Sequence, residues 1–290
     1  MPAVSLDYKD FPDFAAGQKS VGFVRRPACV GPVAWKDWNA VQRDIDRLKE
    51  AVESSAPVEV FMTAASPGVV PIFMEDRYYG SEEAYVYALA DVLKREYDAI
   101  HHAGFVLQLD CPDLATGRNN KYAGMTDREF LKVVELHVEA LNHAVRDIPS
   151  DRMRLHVCWG NRAGPHHRDV PLRDIVGALL KARPAGLSIE GANPRHEHEW
   201  KVFQEVKLPE GKVLIPGVLD STTNFIEHPE VVEQRIVRYA EVVGRENVIA
   251  GTDCGFGTMA TLTPQVDPQI AWAKLRSMAE GARLATAVLW

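Results

Sequence analysis

The sequence predicts an α/β fold of the TIM (β/α)8 barrel type. Three observations carry that reading. Short apolar, β-branched runs alternate with longer amphipathic segments along most of the 290 residues, which implies a parallel sheet wrapped by helices. The runs are continuously apolar, as strands covered on both faces are. No GxGxxG follows an early strand, so the main signature of a doubly wound sheet is missing. The count gives seven strands where a closed barrel has eight. The first strand-helix unit is therefore read as lacking or replaced. Residues 1–25 are expected to be an irregular N-terminal segment and 26–290 the barrel domain.

The strand runs, in order, are 26–33 (RPACVGPV), 58–65 (VEVFMTAA), 104–111 (GFVLQLDC), 152–159 (RMRLHVCW), 186–191 (GLSIEG), 212–219 (KVLIPGVL) and 246–253 (ENVIAGTD). The first helix, 37–53, spaces Val41, Ile45, Leu48 and Val52 on one face. Ser81 is the N-cap of a helix over 82–102, whose Glu82 and Glu83 suit the positive end of its dipole. Thr126 and Glu129 have the spacing of a capping box opening 127–147. A helix over 172–182 follows Pro171. Another, over 230–243, follows Pro229 and stops at Gly244, the expected C′ glycine. The last helix covers 268–287.

Composition narrows the function classes. The formal charge is −7, from 33 basic and 40 acidic side chains, and no basic face marks a nucleic-acid footprint. Hydrophobic residues make up 46% of the chain, enough to offset the entropy of ordering it. No apolar stretch approaches the ~18–20 residues of a membrane span. The acidic, aromatic N-terminus (MPAVSLDYKDFPDF) is no signal peptide, so a cytoplasmic location is expected. Cys29, Cys111, Cys158 and Cys254 are too sparse for a disulfide framework. Each is core filler, nucleophile or metal ligand.

In such a barrel the catalytic side chains come from the C-terminal strand ends. These ends carry Asp110-Cys111, His156-Val157-Cys158, Glu190, Asp220 and Asp253-Cys254. His156 and Cys158 are two apart on a strand and so point the same way. With Glu190 on the following strand and Cys254 on the last, they form a candidate zinc site, since Zn²⁺ takes imidazole, thiolate and carboxylate in a tetrahedron. Cys29 reads as core, and the side chain of Cys111 is expected to face away from Asp110. Arg168 and Arg195, in two His-rich loops, are expected at the mouth, where they bind an anionic group. Those loops (His166 and His167, His196 and His198) are not read as metal sites, because adjacent histidines rarely aim at one ion. Asp220 and Asp253 are candidate catalytic acids.

The motifs HVC at 156–158, SIEGA at 188–192, IPGVLD at 215–220 and GTDCG at 251–255 resemble the catalytic domain of cobalamin-independent methionine synthase, and LQLDCPDLA at 107–115 resembles its Asp-containing strand end. The resemblance runs from about residue 26 to the C-terminus. It implies a zinc ion held by His156, Cys158, Glu190 and Cys254, with Asp110 binding the amino group of homocysteine. It implies a methyltransferase that acts on a zinc-activated thiol, and hence a role in methionine biosynthesis. The partners expected are a small-molecule thiol and a methyl or alkyl donor. Nothing matches the family's Gly-Ser-Phe-Pro-type loop on the first strand, in agreement with the count of seven, and no second barrel for the folate polyglutamate is expected before this one, so methyltetrahydrofolate is not the expected donor. The short relatives include epoxyalkane:coenzyme M transferases, so alkyl transfer to another thiol is one alternative. A non-catalytic zinc-binding barrel is another, and decarboxylation without metal is disfavoured by the His, Cys, Glu and Cys set.

Overall fold

The computed structural model describes residues 5–17, 27–53, 55–257 and 265–290. Two short helices come first, α1 (Leu6–Asp10) and α2 (Pro12–Gly17). Then follow β1 (Ala28–Cys29), α3 (Trp38–Glu53), β2 (Phe61–Ala65), α4 (Val70–Phe73), β3 (Glu75–Asp76) and α5 (Glu82–His102). From there strand and helix alternate: β4 (Val106–Asp110), α6 (Asp127–Ala144), β5 (Met153–Val157), α7 (Leu172–Leu179), β6 (Gly186–Ile189), α8 (Val202–Glu205), β7 (Val213–Leu219), α9 (Pro229–Val243), β8 (Gly251–Thr252) and α10 (Pro268–Leu289).

The main sheet has six strands among the described residues, in the order β2-β4-β5-β6-β7-β8, and every neighbouring pair is parallel. It curls as a half-barrel with the helices outside. Leu107, Leu109, Leu155, Val157, Leu187 and Ile189 are buried between sheet and helices. Each such side chain contributes about 2 kcal/mol by leaving water. The register places Ala65, Asp110, His156, Ser188 and Ile215 on one rung, with Thr63, Gln108, Arg154 and Gly186 on the rung two residues below. Both rungs supply side chains to the inner face.

The capping chemistry is as the sequence predicts. The Ser81 side chain accepts from Ala84 N, Thr126 and Glu129 form the complete capping box, and Gly244 ends α9 with φ +91°. That left-handed φ carries no steric penalty for glycine.

Three details differ. The run 26–33 shrinks to two residues that pair with β3, outside the main sheet. Pro27 and Pro32 bracket it, and proline has no N–H for a ladder. The run 246–253 pairs only at Gly251 and Thr252, with a lone bridge from Val248 to Leu214, because the register slips between Gly217 and Leu219. Within the expected irregular segment, residues 6–10 and 12–17 are helical, and 1–4 and 18–25 lie outside the described residues. No helix of the described residues is long and apolar enough to cross a membrane.

Candidate metal centre and substrate cavity

β5 delivers two of the predicted donors and the turn after β8 a third. His156 is the fourth residue of β5, Cys158 follows its end, and Cys254 follows β8. One ligand atom from each lies within 4.8 Å of the other two. The sulfurs of Cys158 and Cys254 are 3.0 Å apart, and both are free thiols. Four-coordinate zinc with Zn–S bonds of ~2.3 Å sets two sulfurs about 3.8 Å apart, so the pair need open only slightly to share an ion. One imidazole and two thiols are a donor set that zinc takes readily.

The surroundings favour ionised sulfur. Gly160 N donates to Cys158 Sγ at 3.2 Å. A hydrogen bond from Cys254 holds the Cys158 thiol far below the ordinary thiol range, in spite of burial, and His156 adds to that. His156 Nδ1 lies 3.2 Å from Ser188 Oγ, a contact that orients the ring and leaves Nε2 for the sulfurs.

Glu190 is buried beside this group but turned to other partners. Its Oε1 accepts from Trp159 N at 2.8 Å, and its Oε2 accepts from Asn193 Nδ2 at 2.8 Å and Arg195 Nη2 at 2.9 Å. Burial pushes the Glu190 carboxyl up to about 8, and the charge on Cys158 adds to the effect, while Arg195 pulls the other way. Three of the four predicted donors thus form the cluster, and the fourth is held by loop hydrogen bonds.

A cavity of about 610 Å³ opens on the cluster. Asp110, Gln108, Arg154 and Ser188 supply polar lining, and Phe61, Ile215, Leu275 and Met278 supply apolar lining. Asp110 Oδ1 accepts from Gln108 Nε2 at 2.8 Å. Burial raises the Asp110 carboxyl above its ordinary range, partly offset by that hydrogen bond.

The remaining predicted residues have other placements. Arg195 is spent on Glu190, on Asn193 Oδ1 at 2.9 Å and on Gly160 O at 3.3 Å. Arg168 pairs with Asp10 at 2.7 Å. Neither lines the cavity. Asp253 accepts from Gly191 N, Ala192 N, Asn193 N and Asn193 Nδ2, all within 2.9 Å, and so pins the loop after β6. Asp220 accepts from Thr222 and Thr223 and shapes the loop after β7. Both carboxylates position loops around the cluster. Cys29 and Cys111 are buried away from it, as expected.

The His-rich loops form a buried network instead. His166 bonds Asp169 at 2.8 Å, and His196 lies between Asp169 at 3.2 Å and Glu199 at 2.9 Å. Asp7, His166 and Asp169 also have ligand atoms within 4.8 Å of one another. Asp7 is engaged by Ser5, Asn119, His167 and Arg162, whose cation already balances it. The sequence reading missed Asp7 and Asp169, which are ordinary surface types until packing buries them. It also missed Gln108 and Arg154, although each sits two residues before a predicted site residue on the same strand face.

The family model described as "Cobalamin-independent synthase, Catalytic domain" matches residues 70–283. The chain belongs to that family. The methionine synthase of Thermococcus kodakarensis is 22% identical over 241 residues, covering 83% of this chain and 61% of that protein. The 2-hydroxypropyl-CoM lyase of Xanthobacter autotrophicus is 27% identical over 177 residues, covering 52% of this chain and 45% of that protein. The chain thus spans about three fifths or less of these relatives. The fold is that of the B12-independent methionine synthase from Shewanella sp. W3-18-1, solved in complex with selenomethionine: TM-score 0.70, 18% identity, 96% of this chain and 79% of that chain covered. The family's catalytic domain is an enzyme fold, and the His156, Cys158 and Cys254 cluster lies among the matched residues.

Proposed function

We propose that this protein is a zinc-dependent S-methyltransferase that activates a thiol, with homocysteine the substrate type. The observation that carries the proposal is the cluster of His156, Cys158 and Cys254 at the cavity wall, with Asp110 on the same rung as His156. Three protein donors leave a fourth position, the arrangement of catalytic rather than structural zinc. Bound there, zinc would supply the positive charge that ionises a visiting thiol near neutral pH.

The chain's own residues do the rest. Cys158 and Cys254 supply two thiolates, whose negative charge keeps a neighbouring sulfur electron-rich. Ser188 holds the His156 ring. Asp110 binds an ammonium group and so directs an amino-acid thiol with its sulfur toward Cys158 and Cys254. The apolar lining excludes water from the nucleophilic sulfur. Attack on an electrophilic methyl carbon then forms the new C–S bond as the donor's bond to that carbon breaks, and the leaving group carries away the electron pair.

Transfer of a larger alkyl group is the second reading, supported by the similarity to 2-hydroxypropyl-CoM lyase.

The test is metal content with thiol titration at the zinc absorption edge. Near-stoichiometric zinc, a new Zn–S contact on adding homocysteine, and loss of both in Cys254→Ser are expected. Protein purified without zinc, or equal turnover by wild type and Cys254→Ser in a methyl-transfer assay, would overturn the assignment.

A further inference from the structure

One cation in the cavity has no part in the chemistry above. Arg154 lies two residues before His156 on β5 and four before Cys158, which follows the strand's end, and all three side chains line the cavity. A guanidinium inside a barrel is costly unless something faces it. Its stem and plane are fixed: Nε donates to Gln108 Oε1 at 2.7 Å, and the group lies 3.4 Å from the centre of the Phe61 ring. Its terminal nitrogens have no hydrogen-bond partner among the described residues. Glycine beside it on β6 makes the room, since a Cβ at Gly186 would come within 2.8 Å of Arg154 Cβ. Gln108 links this guanidinium to Asp110, so one wall of the cavity runs carboxylate, amide, cation.

We infer that Arg154 is the anchor for an acidic group, a carboxylate or a sulfonate, on the thiol whose sulfur lies at His156, Cys158 and Cys254. The inference rests on the thiol reading above. The unpaired end of the guanidinium offers parallel N–H donors that fit two oxygens of either acid. The Arg154 and His156 rungs are ~6.6 Å apart along the strand, the scale of a short-chain mercapto acid. Asp110, one rung nearer the sulfurs, takes the ammonium when the molecule is an amino acid. Arg168 and Arg195, committed to Asp10 and Glu190, leave this task to Arg154.

The test is isothermal titration calorimetry on zinc-loaded protein. The probes are 3-mercaptopropionate, 3-mercaptopropanesulfonate, homocysteine, neutral 3-mercaptopropanol, and the sulfur-free acids butanoate and propanesulfonate. Wild type is expected to bind acidic thiols about tenfold or more tighter than mercaptopropanol. Arg154→Met should erase that preference while leaving mercaptopropanol affinity unchanged, which also reports an intact fold. Arg154→Lys should retain part of it, and its intermediate value decides the matter should Arg154→Met not fold. The carboxylate and sulfonate arms identify the acid. Thiols that bind without preference, or a preference that survives in Arg154→Met, would overturn the anchor and leave thiol activation standing. If no thiol binds while the sulfur-free acids still bind through Arg154, the anchor stands and the thiol reading falls.

Discussion

Replacing Asp253 with Asn tests how the loop after β6 is held beside His156, Cys158 and Cys254. Four N–H donors converge on this carboxylate: Gly191 N and Ala192 N at 2.8 Å on Oδ1, Asn193 N at 2.9 Å and Asn193 Nδ2 at 2.7 Å on Oδ2. An amide of the same shape keeps one oxygen and so can satisfy two of them. Its NH2 faces the other two, donor against donor, in a site 1% exposed to solvent. Hydrogen bonds to charged groups are worth ~1.5–3 kcal/mol each, so two lost bonds cost about 4 kcal/mol. Unfolding entropy of ~2.1 cal/mol/K per residue gives roughly 0.6 kcal/mol/K for this chain, and the expected drop in Tm is about 6–7 °C. Asn193 also holds Glu190, so zinc affinity should fall together with stability. Thermal denaturation followed by circular dichroism, with metal analysis on the same samples, measures both. A Tm within about 2 °C of wild type would refute the idea that this carboxylate organises the loop.

Two further outcomes follow from the same geometry. Gly217→Ala drives a Cβ into Asp253 Oδ1 and to 2.8 Å from the Asp253 backbone, so it should reproduce the Asp253→Asn defect, seen as weakened zinc retention on chelator titration. His196 is expected to make stability depend on alkaline pH. Burial lowers its pKa, but Asp169 and Glu199 more than offset this and raise it from 6.5 to about 9. The folded value exceeds the unfolded one, so the contribution is complete below about pH 6.5 and fades as pH climbs through about 9, a difference of about 3 kcal/mol. Urea unfolding of wild type and His196→Gln at both ends of that window isolates it, and a gap between the two proteins that stays constant with pH would contradict the charged network.

The fold was largely legible because its signals are local. The five central apolar runs, the Ser81 and Thr126 caps and the Gly244 stop each depend on a few neighbouring residues, and all appear in the structure. The first and last strand runs were overestimated for a reason that is not local. Pairing needs a partner in register, and Pro27, Pro32 and the slip at Gly217 limit it. His156, Cys158 and Cys254 could be brought together on paper because strand alternation and the shared rim of a barrel fix direction without coordinates. Arg154 obeys the same alternation and was readable by it, but a basic residue at the start of a strand gave no reason to look inside.

By itself the sequence determined the alternation of strands and helices, the helix ends and that His156, Cys158 and Cys254 come together, since these follow from backbone periodicity and the shared strand ends of a barrel. Only the tertiary structure decided which charges face one another. It turned Glu190 toward Trp159, Asn193 and Arg195, gave Arg168 to Asp10, made Asp220 and Asp253 holders of loops, and left the Arg154 guanidinium open to the cavity. A buried polar group must find a partner wherever the folded chain supplies one, and those partners come from segments far apart in sequence.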